Sequence, residues 1–513
     1  MAIATLVACC CLGFGVYFLQ GGLAVALTSI GQQMNLGLAV QQWTVNGLTL
    51  AAAVVLVLAG GLADKYGSRP CLLMASGVFT AGLVCAATAA NGAFLVAGCI
   101  LVGLGGGLAF PAALAALRSQ WDEKRLPMVV GIFVSSWTTG ICLGPIVCGY
   151  LADGIGWRAI FWFLVPFGVL AIGVFTLRGA ADSERKDVKL PVPGLVTLSV
   201  SLVLLLLGLT LAALRGLGNL PAVVLCLVGL VLLVGFKWVD RRSRSRVLPT
   251  PLARDRNFLA GIAVINLLNM AVLPVIVLAT LGLEIGDGYS ALAAGVFLLT
   301  MTVGLAVMPT VTGVLSRWLE PRIMLLVGCL LTVVATVGLL LVSPWSTAGF
   351  VVCMVLMGIG FGLTAETMIS VTLDRVPAAE EGKASGLTLV GTFLGGAIGL
   401  ALATAVFASV QRDTLTTAVS SRDLDADAVA VVDGLLAGSL PAGRALYLLP
   451  EDVRGLVLAA VQQTFSDAFA SAMIVPVVAA LAAFGCSVYL LRLHRRSVRI
   501  AATVVPARSE PVS

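Results

Sequence analysis

Residues 103–108 read G-L-G-G-G-L, and residues 358–363, 255 positions later, read G-I-G-F-G-L. Both lie inside long apolar runs, 93–117 and 346–372. Gly103, Gly105 and Gly107 therefore recur as Gly358, Gly360 and Gly362. The same offset carries Gly131, Gly140 and Gly144 onto Gly386, Gly395 and Gly399. Evenly spaced glycines can simply mark close helix packing. One offset kept at separate places marks a duplicated unit. A looser echo joins G-G-L-A-D-K-Y-G-S-R at 60–69 to G-V-L-S-R-W-L-E-P-R at 313–322, at offset 253. The chain reads as two related halves.

Composition says what medium those halves sit in. Of 513 residues, 59% are hydrophobic and 11% charged, with a mean hydropathy of +1.07. A water-soluble fold cannot hide that much apolar surface, so this is an all-α polytopic membrane protein. A bilayer core takes about 20 apolar residues per helix. Suitable runs fall near 3–30, 40–62, 70–90, 93–117, 127–152, 157–177, 192–214, 220–238, 257–283, 289–315, 321–342, 346–372, 384–410 and 467–491. Fourteen spans make two six-helix halves plus two inserted helices. The expected divisions are 1–180, the insertion and basic linker 181–256, 257–491 with an outer loop at 412–465, and a tail at 492–513.

Charge fixes the orientation. Of 31 Lys and Arg, only Arg158, Arg215, Arg412, Arg422, Arg444 and Arg454 fall on the side opposite the termini. By the positive-inside rule both termini are cytoplasmic. The basic stretch K-W-V-D-R-R-S-R-S-R at 237–246 suits a snorkelling anchor on anionic lipid. The pI near 8.8 reflects this sidedness, and nucleic acid is not an expected partner. All twelve cysteines lie in or beside apolar runs and the single histidine, His494, is in the tail. No disulfide framework, metal site or cofactor is expected, and no nucleophile–base pair suggests an enzyme.

G-G-L-A-D-K-Y-G-S-R-P at 60–70 resembles the signature loop of the major facilitator superfamily. Gly67 permits the tight turn, Asp64 can cap a neighbouring helix start, and Arg69 can join a cytoplasmic charge cluster. G-I-C-L-G-P-I-V-C-G at 140–149 resembles that superfamily's antiporter signature. There Gly140 and Gly144 allow close packing while Pro145 bends the helix. With G-W-R-A-I-F-W-F-L-V-P-F-G at 156–168 and P-L-A-R-D-R-N-F at 251–258, the chain resembles the fourteen-helix drug/proton antiporter branch over nearly its whole length. The resemblance implies a monomeric transporter in a bacterial plasma membrane that exports drugs or an antibiotic in exchange for protons.

The chain departs from that branch where the branch carries charge. Leu19 stands at the acid of the first helix, Cys99 and Val102 at the Arg and Gln of the fourth, and Thr392 in the penultimate helix. Glu366 is left as the carboxylate well inside a span, about 12 Å from its inner end. It either exchanges protons and meets cargo, or faces a wet vestibule. Gln20, Asn46, Trp137, Asn266 and Asn269 are the candidate cavity groups. The asparagine pair, three residues apart, shares one helix face. Two alternatives stay open: a lipid-like substrate moved with little or no proton coupling, and a degenerate transporter acting as a binding partner or sensor.

Overall fold

The computed structural model of the chain describes residues 2–122, 125–177, 192–215, 219–243, 252, 255–286, 289–316, 318–341, 347–373, 376, 381–422 and 451–504. Its helices are α1 (Ala2–Met34), α2 (Leu38–Tyr66), α3 (Ser68–Ala87), α4 (Gly92–Gln120), α5 (Leu126–Gly154), α6 (Arg158–Leu177), α7 (Val192–Arg215) and α8 (Leu220–Arg242). There follow α9 (Arg256–Leu281), α10 (Ala291–Leu315), α11 (Pro321–Leu341), α12 (Thr347–Leu373), α13 (Glu381–Arg422), α14 (Glu451–Ala472) and α15 (Ile474–Val504). A π-helical turn, Gly282–Gly286, closes α9. Twelve helical segments among the described residues are long and apolar enough to cross a bilayer. Shorter apolar stretches on α2 and α7, Val40–Leu56 and Val196–Leu209, account for the other two expected spans.

The last span is α14 running into α15 with a break at Met473. Pro476 has no N–H to offer the Ala472 carbonyl, so the helix interrupts there. α13 extends to Arg422 and α14 starts at Glu451. Helix thus enters the 412–465 stretch from both sides. Phe465 meets Phe407 of α13 at 5.1 Å between ring centroids and binds the two helices together. Residues 423–450 lie outside the described residues.

Five of the six duplicated glycine pairs make corresponding contacts in the two halves. A Cβ on Gly103 or Gly107 would overlap α2 backbone at Leu48 and Ala52; on Gly358 or Gly362 it would overlap α10 at Met301 and Gly304. Gly105 abuts Phe79 of α3, and Gly360 abuts Gly328 of α11. Gly140 and Gly144 sit on the α1 backbone at Phe14 and Phe18, as Gly395 and Gly399 sit on the α9 backbone at Asn266 and Met270. Each glycine removes the side chain that would hold two helices apart. The repeat seen in sequence is one packing scheme used twice.

The halves meet chiefly along two helix pairs. α5 meets α10, where Gly149 lies against Ala291 and Gly295 against the Pro145 carbonyl. The Asp153 carboxylate accepts a 2.9 Å hydrogen bond from the Leu292 N–H, and the Cys142 thiol donates to the Thr302 carbonyl at 3.0 Å. α2 meets α13, with Leu50, Ala397 and Ala401 in one apolar cluster that also takes in Leu202 of the inserted α7. In the span alternation, the α5–α10 joint occupies the end opposite the termini, here called the distal end. All twelve cysteines are free thiols.

Candidate functional site

Trp137 is where the candidate cavity groups gain neighbours. Its indole, buried on α5, lies over Gly13 of α1, where a Cβ would strike the ring. Tyr17 of α1 stacks flat on it, Phe110 of α4 comes to 4.4 Å between centroids, and Phe133, one helical turn back on α5, meets it edge-on at 4.8 Å. These rings border a cavity of about 20 Å³ that Cys9, Leu12 and Leu56 also line. That is room for about one water. The indole Nε1 is buried with no hydrogen-bond partner among the described residues. The wall is a mutually packed aromatic cluster, with the indole N–H turned toward Gly13 of α1. Three of its four helices, α1, α2 and α5, also touch the C-terminal half.

The other cavity residues do not join this group by hydrogen bond or ring contact among the described residues. Gln20 lies on α1 one turn beyond Tyr17, its Oε1 buried and unpartnered. Asn46 is buried on α2 with its Oδ1 likewise unpartnered. Asn266 and Asn269 are both half-buried on α9, but Asn269 spends its amide on the Ile265 carbonyl of its own helix, at 2.9 Å. Glu366 lies on α12 between the buried threonines Thr364 and Thr367. Its side chain, like that of Asp64 on α2, is outside the described residues.

The signature loop has a clear local logic. Gly67 turns the chain between α2 and α3 at φ +92°, a left-handed conformation that favours glycine. Its N–H donates to the Ala63 carbonyl at 3.0 Å. Arg69 then reaches the end of α6, donating from Nε to the Phe175 carbonyl at 3.1 Å and from its terminal nitrogen to the Thr176 carbonyl at 3.2 Å. A cation on the last carbonyls satisfies acceptors that have no helical partner and complements the negative helix end. Arg69 is thus a helix clamp within its half, a role the sequence did not suggest. Pro145 withholds an N–H from the Ile141 carbonyl. That carbonyl lies against Gly21 of α1, so the acceptor left without its helical donor faces a glycine.

Further groups had no signal in the sequence. Asn257, in the 251–258 motif, donates its amide to the Val371 carbonyl at 3.2 Å and ties α9 to α12. Arg158 donates to the Ala89 carbonyl at 2.9 Å and covers the Trp157 ring. Glu284 sits in the π turn with Oε1 buried and without a hydrogen bond among the described residues. Asp467 is exposed within α14. Of the basic stretch at 237–246, Arg242 lies 3.7 Å over the Trp238 ring, while 244–246 are outside the described residues.

Comparison with known proteins accords with this geometry. The chain is 29% identical over 468 residues to the tetracenomycin C resistance and export protein of Streptomyces glaucescens, covering 89% of this chain and 87% of that one. It is 30% identical over 397 residues to a probable actinorhodin transporter of Streptomyces coelicolor, covering 75% and 68% respectively. A solved bacterial homolog of the human lysosomal transporter Spinster, inward-facing and unoccupied, superposes with a TM-score of 0.65. That likeness covers 96% of this chain and 98% of the other at 16% identity, and shows the fold. The family model described as Major Facilitator Superfamily matches residues 9–400, and the chain belongs to that superfamily of membrane transporters.

Proposed function

We infer that this protein exports hydrophobic or amphipathic small molecules, a drug or a natural product, by alternating access in exchange for protons. The observation that carries the reading is the aromatic wall of Tyr17, Phe110, Phe133 and Trp137, which borders a cavity between α1, α2, α4 and α5. The export relatives agree with a small-molecule cargo. Two halves built on one packing scheme, joined near the distal end through α5 and α10, suit rocking about a shared site. In this reading Glu366 carries the proton. Gln20, Asn46, Asn266 and Asn269 add polar contacts, and Asp64, Gly67, Arg69, Gly140, Gly144 and Pro145 hold the elements that move. The protein sits in the bacterial plasma membrane with both termini cytoplasmic, as its basic loops require.

The test is efflux of a planar fluorescent aromatic compound from proteoliposomes, with and without an imposed pH gradient. Export that accelerates with the gradient is expected. Export indifferent to the gradient removes proton exchange from the reading, and no export of any compound tried removes transport itself.

A further inference from the structure

The two seams between the halves are finished differently. On α5, Asp153, Gly149 and Cys142 all touch α10. Their spacings of four and seven residues put them on one face of the helix. The same face continues towards the end that holds the termini as Ser135, Gly131 and Met128. There it is bare. Ser135 and Gly131 are exposed, Met128 is 71% exposed, and a Cβ on Gly131 would meet nothing within 4 Å. The α5 side of this seam is packed in its distal part and open on the termini side of Cys142.

The α2–α13 seam has a cover. Leu50 of α2 and Ala397 and Ala401 of α13 are buried in one cluster with Leu202 of the inserted α7. Leu198 and Leu209 sit in the same cluster, so α7 follows the seam for about 16 Å. α8 backs it closely: Gly208 lies on the α8 backbone at Cys226, and Gly229 on the α7 backbone at Leu205. Two glycine contacts make the hairpin a single unit. Its outer helix then presents Leu227, Val231 and Val234 as exposed apolar residues, a face for bilayer hydrocarbon.

This asymmetry matters for a hydrophobic cargo. Such a molecule concentrates in the bilayer, because removing its apolar surface from water is favourable. It reaches the space between the halves along whichever seam hydrocarbon can enter. One seam is closed to lipid by an inserted helix, and the other is bare along the half nearer the termini.

We propose that the inserted hairpin makes access to this transporter one-sided. α7 seals the α2–α13 seam against the bilayer, and hydrophobic cargo enters from the leaflet on the termini side through the α5–α10 seam, past Ser135 and Gly131. The nature of the cargo rests on the export reading, whereas the seal and the opening are read without transport.

The test uses the full-length protein in vesicles of phosphatidylcholine and phosphatidylglycerol. It is photolabelled with iodonaphthyl azide, a planar aromatic that dissolves in the bilayer, and mapped by peptide mass spectrometry. Label is expected at Met128, Gly131 and Ser135, and none at Leu50, Ala397 or Ala401. Leu198→Ala combined with Leu202→Ala opens the seal and should admit label to Leu50 and Ala397; Leu209→Ala serves if that pair folds poorly. Ser135→Trp fills the open edge. Label at Tyr17 and Phe110 of the ring wall should then be lost, and should return when the α7 substitutions are added. The proposal is overturned if Leu50 and Ala397 are labelled in the parent, if opening α7 leaves them unlabelled, or if Ser135→Trp keeps parental label at Tyr17. A parent labelled at Ser135 but at neither Tyr17 nor Phe110 rejects the ring wall as the cargo site, while the missing label at Leu50 still supports the seal.

Discussion

The Tyr17 ring lies over the Trp137 indole with centroids 5.1 Å apart and planes 5° from parallel. One ring comes from α1 and the other from α5, helices whose backbones touch through Gly144 and Gly22. A flat surface is therefore held between two helices in backbone contact, so tilting one ring against the other works against that packing.

Trp137→Ala removes that surface. A stacked aromatic pair contributes about 0.5–1.5 kcal/mol beyond its area, and about 1.4 kcal/mol is tenfold in affinity. The half-saturating concentration of an aromatic cargo in vesicle efflux should rise up to about tenfold, with Trp137→Phe close to the parent. An unchanged half-saturation point would place the cargo elsewhere.

The repeated glycines predict a symmetric pair of defects. Gly140→Val and Gly395→Val each drive a side chain into a carbonyl, of Phe14 and Asn266 respectively. Overpacking of this kind costs about 1–3 kcal/mol. Both variants should melt lower in detergent by similar amounts. Gly131→Val, where a Cβ meets nothing within 4 Å, should melt with the parent.

Arg69→Ala strips two acceptors at the end of α6. Hydrogen bonds from a charged donor contribute about 1.5–3 kcal/mol when buried, and the partial exposure of Arg69 places the loss toward the lower figure. Arg69→Lys can reach one carbonyl at a time and should recover part of it. Thermal unfolding of the three proteins should rank parent, Lys, Ala.

Much of this fold was legible because lipid makes the rules strict. Each span had to be a continuous apolar helix, and the repeated glycines could be counted before any helix was placed. The interruption at Met473 was not read, although Pro476 announced it. Trp137 was singled out, but Tyr17, Phe110 and Phe133 were not. Aromatic residues are scattered through many spans, and only packing shows that three helices aim theirs at one place. Arg69 was expected in a cytoplasmic charge cluster; its hydrogen bonds to carbonyls of α6 are a contact that no motif encodes. Asn257 stood in a recognised motif, yet its contact with Val371 spans 114 residues of chain.

The acids divide the coupling question between two places. Glu366 lies on α12 within the C-terminal half, and Glu284 lies in the π turn beyond α9. Gln keeps the shape of each side chain and removes its titratable proton. With Glu366→Gln, efflux driven by an imposed pH gradient should fall to the level without a gradient, while exchange of labelled for unlabelled cargo at equal pH continues. Exchange needs the conformational cycle but no net proton movement, so its survival separates lost coupling from lost folding. Glu284→Gln should keep the response to the gradient, because Glu284 sits in the π turn beyond α9 near the distal joint, away from Glu366 on α12. The reverse pattern, with Glu284→Gln uncoupled and Glu366→Gln unaffected, would move the proton site from α12 to the distal end.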